Sequence, residues 1–342
     1  MVWKTAVRTF AVILALMLAV TAAAAGFDTQ RVSGVDFGEF GRQAYAYLQY
    51  IDENLPDRDC IEGEDTEDAI AWIVSELEAA GYDEDQISVE DFTFEDEEED
   101  EYTAQNIVVT LPGRAETQII VGAHYDGTGA GDNGSGAALL LETACRLVQG
   151  EELAQTVVFI FFGAEENDTD GSAAYADRMT DEEIENTAFM INMDSIVAGD
   201  FCYLYGGVAD FRNQRVEALD AFHKVFAIGE RLGLGLHMQP WTFENPAPGF
   251  KVPDYPSPSV GDWSDHISFA ERGVQYVYFE ASNWEIPGPD RQYDGDSETA
   301  DAGRIMHTDN DTVARIEALF PGRILYHLQV FSLLLHTVLT EE

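Results

Sequence analysis

Basic residues are scarce in this chain. Eighteen Lys and Arg stand against 64 Asp and Glu in 342 residues, a formal charge of −46, and lysine occurs only at Lys4, Lys224 and Lys251. A surface of that sign repels phosphate backbones and anionic bilayers, which argues against nucleic acid as a partner. Cysteine is almost as rare. Cys60, Cys145 and Cys202 are odd in number and contain no Cys-x-x-Cys pair, so neither a complete disulfide framework nor a thiolate zinc site is supported. Cys145 lies within an apolar helical pattern and reads as a small core residue, which leaves a single Cys60–Cys202 bridge open. No Arg-Arg pair marks a twin-arginine route. Internal repeats and dividing linkers are missing as well. After residue 25 no run is long and apolar enough to span a bilayer, apart from a C-terminal stretch interrupted by charges and His.

What is present begins with enough apolar side chains, 46% of the residues, to bury a sizeable core. The acidic residues are spread along the chain, with one dense run at 95–101. They read as a solvated coat. An acidic, Lys-poor coat also resembles that of proteins from high-salt surroundings, where salt screens the self-repulsion. The first 25 residues differ from the rest. Lys4 and Arg8 open it, 10–20 is apolar, 21–25 is small, and no acidic residue precedes Asp28. This pattern predicts a secretory signal peptide over 1–25, cut near Ala24 or Ala25. An uncleaved anchor is the alternative, and the only expected link to a membrane. Residues 26–342 read as one exported domain.

Along that domain, helical spacing predicts helices over 37–55 and 66–82, the second capped by Thr66 and stopped by Gly81. Strands are expected over 87–94, 106–111 and 119–123, with Pro112-Gly113 connecting the last two. An alternation follows: helix 137–147, strand 156–162, helix 171–179, strands 188–193 and 202–205, helix 211–232, strand 275–280. The C-terminal helix, 313–339, is broken near Pro321. Alternating buried strands and helices predict an α/β fold of three layers, αβα, with helices on both faces of the sheet. Residues 240–263, rich in Pro and aromatics, read as a long loop lining a substrate mouth.

Polar residues gather where the apolar strands end, which in an open α/β sheet is where ligands bind. His124 and Asp126 close one strand and point to the same side of it. Asp132 follows in a Gly-rich loop, Glu165-Glu166 follow the strand 156–162, Asp194 follows 188–193, and His307 precedes the C-terminal helix. Two Asp, one Glu and two His offer five oxygen and nitrogen ligands, a set suited to zinc or a similar divalent ion. That is too many for one catalytic zinc. It fits two ions about 3.5–4 Å apart with one carboxylate bridging them. Asp132, in its pliable loop, suits the bridge. Asp126 can accept the other ring N–H of His124. Of Glu165 and Glu166, one can bind metal while the other serves as general base.

His124-x-Asp126, Asp132-Asn133-Gly-Ser-Gly, Glu165-Glu166 with Gly171-Ser172, Asn192-x-Asp194 and His307-Thr308 resemble, in order, the motifs of the M28 zinc peptidases, a family that includes two-zinc aminopeptidases. The resemblance spans about 105–310 and a matching C-terminal helix. It implies a zinc-exopeptidase-like fold with a central, mostly parallel mixed sheet. It implies two zinc ions, with His124, Asp132, Glu166, Asp194 and His307 as ligands and Asp132 bridging. One ion would take His124 and Asp194, the other Glu166 and His307. Glu165 would be the base, and the Asp132–Asn133 peptide would be cis. Ser264-Asp265-His266 resembles a further motif, in which His266 would support the site or line the substrate pocket, and would be the substitute ligand if His307 did not bind metal. Met306 stands where some members place a tyrosine that helps hold the oxyanion; Tyr205, Tyr276 and Tyr278 are open as substitutes. The expected substrate is a peptide or protein, attacked at its N-terminus. A glutaminyl cyclase with one zinc, or a non-catalytic binding domain on the same fold, are the alternatives.

Overall fold

The computed structural model describes residues 31–96, 98–245, 259, 261, 263–286 and 298–341. The expected signal peptide, and most of the expected loop over 240–263, lie outside the described residues.

Helix α1 (Arg42–Asn54) buries Ala44, Tyr47, Leu48 and Ile51, the i, i+3, i+4, i+7 stripe of an amphipathic helix. Helix α2 (Thr66–Ala80) does the same with Ala69, Ile73 and Leu77. Its cap differs from the sequence expectation. Asp65 occupies the N-cap, and the Thr66 hydroxyl donates instead to the Asp59 carbonyl at 2.6 Å. Gly81 closes the helix at φ 117°, a left-handed backbone that glycine adopts without steric cost. Strands β1 (Ile87–Glu95) and β2 (Glu101–Leu111) form an antiparallel hairpin. In its acidic turn, Asp96 Oδ1 accepts from the Glu98 and Asp100 N–H groups, each at 2.9 Å.

Next come β3 (Ala115–His124), α3 (Gly134–Leu147), β4 (Gln155–Phe162), the single turn α4 (Glu165–Asp168), α5 (Asp170–Arg178), α6 (Asp181–Asn186), β5 (Thr187–Met193) and β6 (Phe201–Gly206). The long helix expected over 211–232 is half hairpin. Strands β7 (Val208–Asp210) and β8 (Arg215–Glu217) pair first, and α7 (Asp220–Leu232) starts only afterwards. The Asp210 carboxylate accepts from both the backbone and side chain of Asn213, at 3.0 and 2.6 Å, a local turn bond that competes with helix. Helix α8 (His266–Glu271), β9 (Tyr276–Ser282), the short pair β10 (Glu298–Thr299) and β11 (Gly303–Arg304), α9 (Val313–Leu319) and α10 (Arg323–Thr340) complete the order. The two C-terminal helices are bent by 105° at the Pro321-Gly322 break, and among the described residues no single helix is long and apolar enough to cross a membrane.

The main sheet runs β1-β2-β4-β3-β5-β9-β6. Its four inner strands, β4, β3, β5 and β9, are parallel, and antiparallel strands flank them on both sides. Both faces are covered. Val157, Phe159 and Phe161 of β4 join a core with α1, α2, α3, α7, α9 and α10, while Val158, Ile160 and Phe162 join a second with α5 and α8. Such buried side chains each contribute about 1.5–3 kcal/mol. One buried carboxylate knits the first layer. Glu142 of α3 accepts from the N–H of Gly41 (2.9 Å) and Ala44 (2.7 Å) at the start of α1 and from Ser332 of α10 (2.6 Å). It satisfies amide donors that the first turn of α1 leaves without helical partners. Strand β3 has β4 on one side and β5 on the other, so the chain reverses direction across the sheet there, and a crevice opens at the carboxyl ends.

Candidate metal centre

Four connections deliver side chains to that crevice. Strand β3 ends in His124, with Asp126 two residues on. The loop to α3 carries Asp132, joined to Asn133 by a cis peptide. Asn133 caps α3, its Oδ1 accepting from Gly136 N at 2.9 Å, and its amide donates to Met193 O, also at 2.9 Å, which ties the loop to the end of β5. After β4 the chain turns through Ala164, in left-handed backbone at φ 54°, into α4 with Glu165 and Glu166. After β5 comes Asp194, whose N–H donates to Phe279 O of β9. His307 arrives from the segment before α9.

The structure gathers these residues into two groups that share Asp132: His124, Asp132 and Asp194, and Asp132, Glu166 and His307. Within each group one potential ligand atom per residue lies within 4.8 Å of the others. His124 Nε2 is 3.3 Å from Asp132 Oδ1 and 3.4 Å from Asp194 Oδ1. The second Asp132 oxygen, Oδ2, is 2.8 Å from His307 Nε2, which lies 3.5 Å from Glu166 Oε2. Glu165 Oε2 stands 3.6 Å from His124 Nε2 without belonging to either group. His124 Nδ1 faces Asp126 Oδ1 at 3.4 Å. Asp126 has a further task that the sequence did not suggest: its carboxylate accepts from the Glu165 and Glu166 N–H groups at 3.3 Å, holding the start of α4. The first group is buried, whereas the His307 side chain is 52% exposed.

The donor set fits a divalent metal. His124 Nε2 and Asp194 Oδ1, which face the first group, are buried and lack a hydrogen-bond partner. Buried polar atoms rarely remain so unless something else satisfies them. Imidazole nitrogen with carboxylate oxygen is the ligand chemistry of zinc. The same groups shift one another's protonation. Burial raises the Glu165 carboxyl; the neighbouring His124 opposes this, but Asp194, Asp265 and Asp132 add to it, leaving Glu165 well above the usual carboxylate range. Hydrogen bonding to Asp132 and Glu166 lifts His307 to about 10. Asp132 goes the other way: burial would raise it, but its contacts with His124 and His307 hold it well below the ordinary value.

Within Ser264-Asp265-His266 the serine, not the histidine, reaches the centre. Ser264 Oγ donates to Asp194 Oδ2 and accepts from Asn192 Nδ2, both at 2.8 Å. His266 packs between Tyr276 and Tyr278, with Nε2 2.6 Å from Gly261 O, and joins neither group. The Asp265 carboxyl is wholly buried, and burial pushes it up to about 8. Sequence reasoning missed Arg58 and Asp311, which hold the Asp132 loop; Asp311 lies in the same short polar run as His307, the one signal that pointed to it. The Cys60–Cys202 bridge does not form. All three cysteines are free, because Cys60 sits beside Ala164, whose N–H reaches its Sγ at 3.2 Å, while Cys202 is in β6 at the far edge of the sheet.

A mixed sheet with parallel inner strands, bearing His and carboxylate groups over its carboxyl edge, defines a zinc-exopeptidase-like fold. The family model "Peptidase family M28" matches residues 106–327, and the chain belongs to that family. It is 26% identical over 242 residues to the alkaline phosphatase isozyme conversion protein of Escherichia coli strain K12, covering 65% of this chain and 66% of that protein. It is 27% identical over 223 residues to aminopeptidase YwaD of Bacillus subtilis strain 168, covering 63% of this chain and 41% of that protein. The chain thus matches under two thirds of the length of these relatives. Among solved structures, a zinc aminopeptidase from Bacillus subtilis superposes with a TM-score of 0.64 at 15% identity, covering 90% of this chain and 97% of that one. A glutaminyl cyclase from Tannerella forsythia gives 0.64 at 19%, covering 88% and 98%. At such identities the likeness concerns the fold.

Proposed function

We propose that the protein is an exported zinc-dependent exopeptidase, an aminopeptidase that hydrolyses N-terminal peptide bonds with two metal ions. The observation that carries this reading is the sharing of Asp132: one carboxylate offers Oδ1 to a His–Asp group and Oδ2 to a His–Glu group. His124 and Asp194 would hold one ion, Glu166 and His307 the other, with Asp132 between them. Zinc bound there would supply Lewis acidity, making a water nucleophilic at neutral pH and polarising the scissile carbonyl. Glu165, inside the site but outside both ligand groups, takes the proton of the attacking water and returns it to the leaving amine nitrogen. Asp126 orients His124, and Ser264 fixes Asp194 from behind.

Several relatives are named aminopeptidases, including those of Bacillus subtilis and Pseudomonas aeruginosa. A free substrate amine also suits a mouth in a chain of charge −46. Export follows from the signal-like residues 1–25. The complete set in both groups favours a hydrolase over a one-zinc cyclase, and metal stoichiometry separates the two. The test pairs N-free with N-blocked peptides and anilides, with zinc added and after exhaustive chelation. Cleavage of N-free substrates alone, lost on chelation and restored by zinc, is expected. Activity persisting at verified near-zero metal content would sink the reading.

A further inference from the structure

The loop between β3 and α3 contains glycines that a turn alone does not explain. Gly127 has a left-handed backbone, φ 90°, but Gly129 and Gly131 do not. What they lack is room. A Cβ on Gly129 would overlap Asp132 O and Asp311 Oδ2, and one on Gly131 would lie 2.7 Å from Asp311 Oδ1. These glycines admit the Asp311 carboxylate.

Asp311 is 5% exposed and is brought in by the segment between His307 and α9. Its Oδ1 accepts from Gly131 N at 2.6 Å, its Oδ2 from Asp132 N at 3.1 Å, and its backbone O from Ala130 N at 3.1 Å. Arg58 serves the same loop from the connection between α1 and α2, at 2% exposure. Its Nε donates to Tyr125 O at 2.7 Å and its Nη2 to Gly129 O at 3.0 Å, while its own N–H donates to Gly127 O at 3.1 Å. Nη1 is anchored on Leu55 O at 2.6 Å. The loop is therefore sorted by charge. Carbonyls of 125 and 129 turn to a buried guanidinium, and N–H groups of 131 and 132 turn to a buried carboxylate. Bonds to charged partners are roughly twice as strong as neutral ones. Neither residue belongs to the two ligand groups.

We propose that Arg58 and Asp311 are positioning residues that fix the backbone of 125–132, and thereby set the Asp132 carboxylate so that one oxygen faces each group. The inference rests on the two-metal reading. An asparagine at 311 would keep the shape but turn an NH2 toward one of the two loop N–H groups. A lysine at 58 would keep the charge but lose the fork that reaches two carbonyls of the loop and the Leu55 anchor together.

The experiment titrates the metal-stripped full chain with zinc alone by calorimetry, then measures kcat and KM separately at saturating zinc. Two zinc ions per wild-type chain are the reference, and fewer would overturn the two-metal reading without reference to the variants. With that reference in place, Asp311→Asn is expected to keep its fold and its KM within about twofold. It should lose about 10–100-fold in zinc affinity and fall in kcat. Arg58→Lys should lie between wild type and Arg58→Ala. A coupling test follows from the glycine geometry: Gly131→Ala should cost zinc affinity in the wild-type background and much less beside Asp311→Ala, where the overlap is gone. If Asp311→Ala does not fold, Asp311→Asn carries the test alone. Wild-type zinc affinity and kcat in folded Asp311→Asn, or strict additivity of Gly131→Ala and Asp311→Ala, would overturn the inference.

Discussion

Glu165 and Glu166 are the same residue type, adjacent, on one turn of helix, and their surroundings differ. Glu165 Oε2 faces His124 in the buried group, with a side chain 10% exposed, whereas Glu166 Oε2 faces the open His307 and is 28% exposed. Burial and three neighbouring carboxylates raise Glu165, the environment of a group that exchanges a proton. Glu165→Gln, which keeps the shape and removes the basicity, is expected to retain bound zinc and lower kcat by about 10²–10⁴-fold. Near-normal turnover with metal in place would refute the assignment. Asp132→Ala removes the one carboxylate common to both groups, so metal analysis should show both positions depleted, with loss from one position alone as the contrary result. The sequence placed both glutamates at a strand end. Which of them faces which histidine depended on the turn at Ala164 and on Asp126 holding the N–H groups of both.

At the scale of elements, α3 links the site to the scaffold. Its N-terminus carries the Asn133 cap, and two turns further on Glu142 receives the first amides of α1 and the Ser332 hydroxyl of α10. A carboxylate within an otherwise apolar helix looks in sequence like an interruption. In the structure it is the partner of N–H groups that α1 cannot satisfy itself, since its N-cap residue, Gly41, has no side chain to accept from them. Glu142→Ala would leave those donors buried without an acceptor. We expect a loss of about 2–4 kcal/mol, read as a lower denaturation midpoint at unchanged slope. A change within about 0.5 kcal/mol, the usual range for surface substitutions, would show that water replaces the carboxylate there. The hairpin of β7 and β8 is the complementary lesson. Apolar spacing suggested one long helix, and a side-chain bond from Asn213 to Asp210 ended that pattern before it began.

For the whole molecule the dominant quantity is the charge of −46. Charge of one sign over a folded surface repels itself, and mobile ions shorten the range of that repulsion from about 30 Å at 0.01 M salt to about 3 Å at 1 M. The melting temperature should therefore rise from dilute buffer to about 1 M NaCl. A maximum in dilute buffer would show that the coat does not limit stability. Exposed ion pairs such as Arg215 with Glu217 offset little of the repulsion, because such pairs contribute at most about 1 kcal/mol.

By itself the sequence determined the alternation of buried strands and helices, and with it a sheet covered on both faces. It also placed His124, Glu165, Glu166 and Asp194 at strand ends, because apolar runs and the polar residues that stop them are local features of the chain. Tertiary structure alone decided the partners. The register of β3 between β4 and β5 sets His124 beside Asp132 and Asp194, and the path of the last described segment brings His307 to the opposite oxygen of Asp132. The fold also selects Ser264 rather than His266 as the contact to Asp194, and keeps Cys60 and Cys202 apart. Arg58 and Asp311, 253 positions apart in the sequence, meet on the two sides of one loop, and no local pattern encodes a pairing between residues so distant.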